Sequence, residues 1–253
     1  ETHFVVLTES AILGGFEDVT DSLPAAPSCG NVPTGPVDDT RLLVEIVPID
    51  GPGNILGQAG PCLIRQSDRS PVLGRIRLDA ADAADLRSRG FLDEVILHEI
   101  GHVLGIGTLW RTRGLLSVDC PADPGVDVRF VGAGAAAEWV ALGGTGLPPV
   151  ENGFAPGSDC FHWREADARN ELMASALSLG TNPLSAFTIA SLADFGYRVD
   201  PAAADPFSLP APAPARESGD ETLSMREQLH GPSAEVTRDG RVLPVPPRGH
   251  QQG

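Results

Sequence analysis

The stretch Val95-Ile96-Leu97-His98-Glu99-Ile100-Gly101-His102-Val103-Leu104-Gly105 decides how the rest of this chain is read. Apolar residues surround the polar ones as they would on a mostly buried helix. On a helix, residues four apart lie one above the other, so His98 and His102 can offer two imidazoles to a single metal ion. Zinc takes imidazole nitrogen at about 2.0–2.1 Å. Glu99 is rotated by roughly 100° from His98. That offset disfavours shared ligation and suits a carboxylate reaching a water on the metal. The bland alternative is two core histidines beside a buried, unpaired carboxylate, and burying such a charge is costly. The helix is expected from Leu92 to Leu104. Asp93 and Glu94 stand in its first turn, where acids suit the helix dipole, and Gly105 supplies a left-handed stop.

Upstream, Arg41–Val47 reads as a strand, ended by Pro48 and a turn at Asp50-Gly51-Pro52-Gly53. Residues 24–40 read as loop, and a second loop reaches Cys62. Val72–Leu78 alternates in the manner of a half-exposed strand near a sheet edge. Asp79–Arg89 carries helix formers. Downstream, 106–160 is Gly-rich with one helical stretch, Ala135–Leu142. Ser185 caps a last helix, Ala186–Phe195, closed by Gly196. At the N-terminus, Phe4-Val5-Val6-Leu7 is a candidate strand within an ambiguous segment, 1–23. Residues 201–253, rich in Pro and Ala, read as a disordered tail, with a transient helix at most over Glu221–His230.

The 253 residues suffice for one substantial domain or two lobes around a cleft. The net charge is −16 and every one of the 18 basic residues is arginine, a balance that repels nucleic acid. No apolar run approaches the roughly 18–20 residues of a spanning helix. Four cysteines, none in a C-x-x-C pair, allow three pairings. We favour Cys29–Cys62 and Cys120–Cys160, each closing a Gly/Pro-rich segment, over four reduced thiols. Two disulfides imply an oxidising compartment. The chain opens at Glu1 with no signal peptide in view, so a cleaved leader is expected; a secreted location is expected from the disulfides, and the chain is expected to be a monomer. Asp119, Asp123 and Asp127 lack the alternation of a calcium loop. Gly132-Ala133-Gly134 and Gly143-Gly144-Thr145-Gly146 lack the lysine of a phosphate loop.

A catalytic zinc needs a third protein ligand and an open position. A histidine three residues beyond Gly105 would serve, but Thr108 stands there, and a hydroxyl is a poor ligand beside imidazole. Of the six histidines, His230 and His250 fall in the tail and His3 near the terminus. His162 remains, beside Cys160 and Trp163. Glu138, Glu165 and Glu171 stay open as carboxylate alternatives.

Taken together, His98-Glu99-Ile100-Gly101-His102-Val103-Leu104-Gly105, His162-Trp163-Arg164-Glu165, Asn170-Glu171-Leu172-Met173, Asn182-Pro183-Leu184-Ser185 and Ile189–Tyr197 resemble leishmanolysin and its compact bacterial relatives. Upstream, Ile49–Gly53 and Leu56–Cys62 fit the same resemblance, which covers roughly 38–200. These are metzincin zinc endopeptidases whose third histidine is displaced by an insertion. The resemblance implies zinc held by His98, His102 and His162, Glu99 as general base, and Met173 as an apolar floor beneath the imidazoles. It implies an α+β fold, with a mixed twisted sheet and the active-site helix in an N-terminal lobe, 1–105. A smaller irregular and helical lobe, 106–200, would follow, with zinc in the cleft between and the tail, 201–253, outside. Residues 1–23 copy poorly the strand and long helix with which the family opens. The expected activity is cleavage of internal peptide bonds, with the peptide extended along an edge strand at Val72–Leu78. An aminopeptidase-like zinc hydrolase and an inactive binding module on a protease scaffold are the alternatives.

Overall fold

The computed structural model describes residues 12–14, 21–26, 29–30, 32, 34–37, 39–120, 123–154, 157–210, 222–224 and 227–245. The candidate strand Phe4–Leu7 lies outside them. The strands are β1 (Ile12–Gly14), β2 (Asp21–Leu23), β3 (Gly35–Val37), β4 (Arg41–Val47), β5 (Gly57–Arg65), β6 (Pro71–Asp79), β7 (Ala176–Ser178), β8 (Arg198–Val199), β9 (Thr222–Ser224), β10 (Glu227–Leu229), β11 (Ala234–Val236) and β12 (Val242–Pro244). The α-helices are α1 (Ala80–Arg89), α2 (Leu92–Leu104), α3 (Trp110–Arg113), α4 (Ala133–Ala141), α5 (Glu165–Ala168) and α6 (Ala186–Phe195). The fold is α+β around a mixed, open sheet in the order β12-β11-β5-β6-β4. β6 runs parallel to β4 and antiparallel to β5. On the other side of β5, β10 and β11 both pair in parallel, at Gly57–Ala59 and Leu63–Arg65 respectively.

Helix α2 spans the expected residues and packs on β5 and β6. The fit depends on Gly74 of β6, where a Cβ would come within 2.1 Å of Val103 Cγ1. Backbone approach of this kind is what a glycine inside a strand permits. Asp79, at the end of β6, ties three pieces together. Its Oδ1 accepts from Ala81 N–H at the start of α1, and its Oδ2 accepts from Ile49, Asp50 and Gly51 in the turn after β4. Those donors hold the Asp79 carboxyl below the usual carboxylate range, the Ala81 N–H most of all. Beyond α2, α4 packs against α6. Asp194 of α6 accepts the N–H groups of Gly134 and Ala135, so that helix N-terminus is closed by the protein itself. The aromatic cluster Trp110, Phe130, Trp163 and Phe187 fills the space below.

Three expectations are corrected. Val72–Leu78 forms a strand but not at an edge, because β5, read as loop as far as Cys62, pairs along one side of it and β4 along the other. That misreading has a cause: β5 is mostly buried, so it lacks alternation, and it carries Gly57, Gly60 and Pro61, which usually signal turns. The tail, 201–253, is not disordered over its described residues. β10, β11 and β12 extend the sheet, and Ala234 and Val236 are buried with Leu63, Val72 and Leu73. Glu221–His230 contributes two strands, β9 and β10, where at most a transient helix was expected. Elsewhere α4 begins two residues early, β3 lies within the stretch 24–40 read as loop, and α3 adds a short second helix to the Gly-rich segment 106–160.

Both favoured disulfides are present, Cys29–Cys62 and Cys120–Cys160. Among the described residues, no helix is long and apolar enough to cross a membrane.

Candidate metal centre

His98, His102 and His162 meet at one point, each fully buried. Their Nε2 atoms stand 2.9 Å (His98–His102), 3.1 Å (His102–His162) and 3.2 Å (His98–His162) apart. A fourth side chain joins them from the supposed tail. Glu227 Oε1 lies 3.1 Å from His98 Nε2 and 3.0 Å from His162 Nε2, and its Oε2 lies 3.2 Å from His102 Nε2. Glu227 thus approaches two imidazoles through one carboxylate oxygen and the third through the other, at separations like those among the imidazoles themselves. Tetrahedral ligands at zinc distances stand about 3.3 Å apart.

The remaining ring nitrogens decide what the cluster can hold. His98 Nδ1 is 2.6 Å from the Leu172 carbonyl, His102 Nδ1 is 2.9 Å from that of Ile106, and His162 Nδ1 is 3.1 Å from that of Ser158. A carbonyl oxygen only accepts, so each Nδ1 carries the hydrogen. Each neutral imidazole then turns a lone pair inward at Nε2. Three lone pairs and a carboxylate facing one another repel unless a cation sits among them. The donor set fits a metal ion, and no other group of three or more candidate ligands occurs among the described residues.

Local structure explains each placement. His98 and His102 follow from the helical period of α2. Gly105, at φ +117°, ends that helix and returns its N–H to the carbonyls of Gly101 and His102. Thr108, standing where a short-spaced third histidine would fall, donates to the His102 carbonyl at 2.6 Å. His162 is held by its own backbone and its neighbours. Its carbonyl accepts from Glu151 N–H, and Trp163 N–H donates to the Met173 carbonyl. Cys160, in the left-handed region at φ +66°, anchors the approach through its disulfide to Cys120.

The turn at Glu171–Met173 works on the centre twice. Leu172 orients His98, and the Met173 side chain packs beneath Gly101, where a Cβ would lie 2.6 Å from Met173 Sδ. Glu171 clamps the turn by accepting from Met173 N–H, Ser185 N–H and the hydroxyls of Ser185 and Thr188. It is structural, so the carboxylate alternatives fall elsewhere: Glu165 accepts from Ala176 N–H, and Glu138 lies on α4. The three acids of the loop at 119–127 are occupied separately. Asp119 pairs with Arg111, Asp127 with Arg129 and Arg164, and Asp123 accepts from Gly125 N–H.

Glu99 is fully buried, and neither of its carboxylate oxygens has a hydrogen-bond partner. It lies against Gly57 of β5, where a Cβ would stand 2.5 Å from Glu99 Oε1. Burial, reinforced by the negative charge of Glu227, pushes its carboxyl well above the ordinary range. Burial takes His102 down to about 4, leaving it the neutral, ligating form near neutral pH. His98 is buried too, but the Glu227 charge prevails and raises it. Burial works against the charge of Glu227, but the positive charge of a protonated imidazole, that of His98 most of all, holds its carboxyl well below the carboxylate range.

The structure brings His98, His102 and His162 together, as expected from the sequence, and sets Met173 against Gly101 of the same helix. Glu227 was missed. Nothing in Glu-Gln-Leu distinguishes it from a solvated acid, and only the parallel pairing of β10 with β5 carries it inward. No protein-family model and no curated protein matches this chain.

Proposed function

We propose that this protein is a secreted zinc-dependent endopeptidase with the metal-site plan of the leishmanolysin-like metzincins. The observation that carries the reading is the pairing of three inward imidazole lone pairs with a partnerless, fully buried carboxylate at the adjacent position, Glu99. A carboxylate held without a partner in the interior costs stability, and such a cost is characteristic of groups that handle protons in a reaction. His98, His102 and His162 would hold zinc, which as a Lewis acid polarises the scissile carbonyl and makes water acidic enough to attack near neutral pH. Glu99 takes the proton of the attacking water and passes it to the departing amine, serving as base and then acid. Its raised proton affinity suits the second half of that cycle. The carbonyls of Leu172, Ile106 and Ser158 fix the tautomers of the three ligands throughout. Two disulfides support an extracellular location.

A second reading is favoured by one observation. Glu227 completes four protein ligands, and sites closed in that way are usually structural. On that reading the chain is a metal-stabilised binding module. Cleavage of a peptide blocked at both ends, abolished by a chelator and restored by zinc, is the expected result for the endopeptidase. No cleavage by the zinc-loaded protein or by its Glu227 variants would overturn it.

A further inference from the structure

We propose that the segment Glu227–His230 is a built-in, displaceable plug of the metal cleft, its Glu227 carboxylate holding the corner that a water must take for hydrolysis. The inference rests on the endopeptidase reading and concerns the control of that same site.

The segment is placed as an occupant of a groove. β10 adds itself in parallel to Gly57–Ala59, the stretch of β5 that also backs Glu99. His230 N–H continues the pairing by donating to the Ala59 carbonyl. The groove has been cleared for a passing backbone on both sides. A Cβ at Gly60 would stand 2.0 Å from the His230 carbonyl oxygen, and one at Gly157 would stand 2.6 Å from that of Glu227. A chain running there thus meets main chain at both walls, which suits recognition through backbone hydrogen bonds. What it presents to the imidazoles is a side-chain carboxylate, with its own peptide carbonyl directed toward Gly157. No scissile bond is offered to the metal, so the occupant blocks without being cut.

The neighbouring residues show where the plug ends and its tether begins. Ser233 N–H donates to the Cys62 carbonyl, Gln66 N–H donates to that of Val236, and Ala234 and Val236 are buried. Glu235 pairs with Arg69 at 3.0 Å. β10 is a ladder of the same three-residue length, but among the described residues it pairs with β5 alone, whereas β11 also pairs with β12, and its Gln228 side chain meets Gln58 at the surface. β11 and β12 therefore hold the segment at high local concentration while β10 competes for the groove. A substrate must displace Glu227–Leu229 and take its place on β5. This also relocates the peptide-binding strand from Val72–Leu78 to Gly57–Ala59.

The test uses the full-length chain loaded with cobalt in place of zinc, comparing wild type with Glu227→Ala and the near-isosteric Glu227→Gln. Acetohydroxamate, a small metal-seeking probe, is titrated against the visible cobalt spectrum, and cleavage of a doubly blocked peptide is measured on the zinc forms. If the plug is closed nine times in ten, removing the carboxylate tightens acetohydroxamate binding and speeds cleavage about tenfold, and the cobalt spectrum changes before any probe is added. Equal probe affinity in all three proteins overturns the plug, while cleavage by all three leaves the endopeptidase intact. Loss of metal from both variants makes Glu227 an obligate ligand and likewise overturns the plug. Tighter probe binding with no cleavage by any form upholds Glu227 as the displaceable occupant and rejects the endopeptidase.

Discussion

The helix histidines and the loop histidine reach the same point by opposite means. His98 and His102 need only the period of α2, whose bounds are set by Leu92 and by the left-handed Gly105. His162 lies 60 residues beyond His102, and its position depends on a disulfide, a positive-φ cysteine and backbone bonds to Glu151 and Met173. One half of the centre is local and robust. The other is assembled by tertiary structure, so perturbations remote from the metal should reach it selectively.

The largest expected effect is direct removal of a ligand. His162→Ala should weaken zinc binding at least about hundredfold, since even changes to groups behind metal ligands cost 10–100-fold. Metal analysis after dialysis checks this, with His102→Ala as the helix-side counterpart. Zinc retained at wild-type affinity in His162→Ala would reduce the loop histidine to a bystander. Next comes Glu99→Gln, which leaves the ligand set intact. It should keep stoichiometric zinc and lose roughly hundred- to ten-thousandfold in peptide cleavage. A parallel fall in zinc content would mean that Glu99 acts in folding rather than in proton transfer.

The disulfides sharpen the contrast further. Their sequence separations, 33 for Cys29–Cys62 and 40 for Cys120–Cys160, are close, so loop-closure entropy assigns each a similar stabilisation of about 4 kcal/mol. Cys29→Ser/Cys62→Ser and Cys120→Ser/Cys160→Ser should therefore lower the denaturation midpoint by similar amounts. Only the second pair should also loosen zinc, by about tenfold, because Cys160 leads into His162. Equal zinc affinity in the two double variants would show that backbone pairing alone positions the loop.

The same contrast explains what the sequence could disclose. Periodicity revealed α2, α6 and β4 to the residue, because each is decided by neighbours within one or two turns or by a strong stop such as Gly105 or Gly196. His162 emerged by elimination and by resemblance to a known motif order, never by local pattern. β5 was hidden because a strand buried on both faces has no alternation and its glycines imitate a turn. β10 was hidden more deeply. A three-residue strand among Pro, Ala and charged residues leaves no signal of its own, and its value to the fold lies wholly in the partner edge it finds. The fourth corner of the candidate metal centre was lost with it.

The smallest expected effect concerns two carboxylates that flank the contrasted regions and titrate in opposite senses. Asp79, on the strand-and-helix side, accepts four N–H bonds that depress its pKa in the fold. Its contribution is present above the unfolded value of about 3.9 and is lost as pH falls through the lower folded value. Glu171, on the loop side, also accepts several donors, but complete burial outweighs them and raises its pKa. Its contribution is fully present below the unfolded value of about 4.3 and is lost as pH rises through the higher folded value. Denaturation midpoints of wild type, Asp79→Asn and Glu171→Gln should therefore converge and diverge on acidification from pH 6 to 3. The gap for Asp79→Asn should narrow, and that for Glu171→Gln should widen. Because variants are compared with wild type at the same pH, a shared loss of metal cancels to first order. Gaps that move in the same direction would show that donors, rather than burial, govern the turn beneath His98.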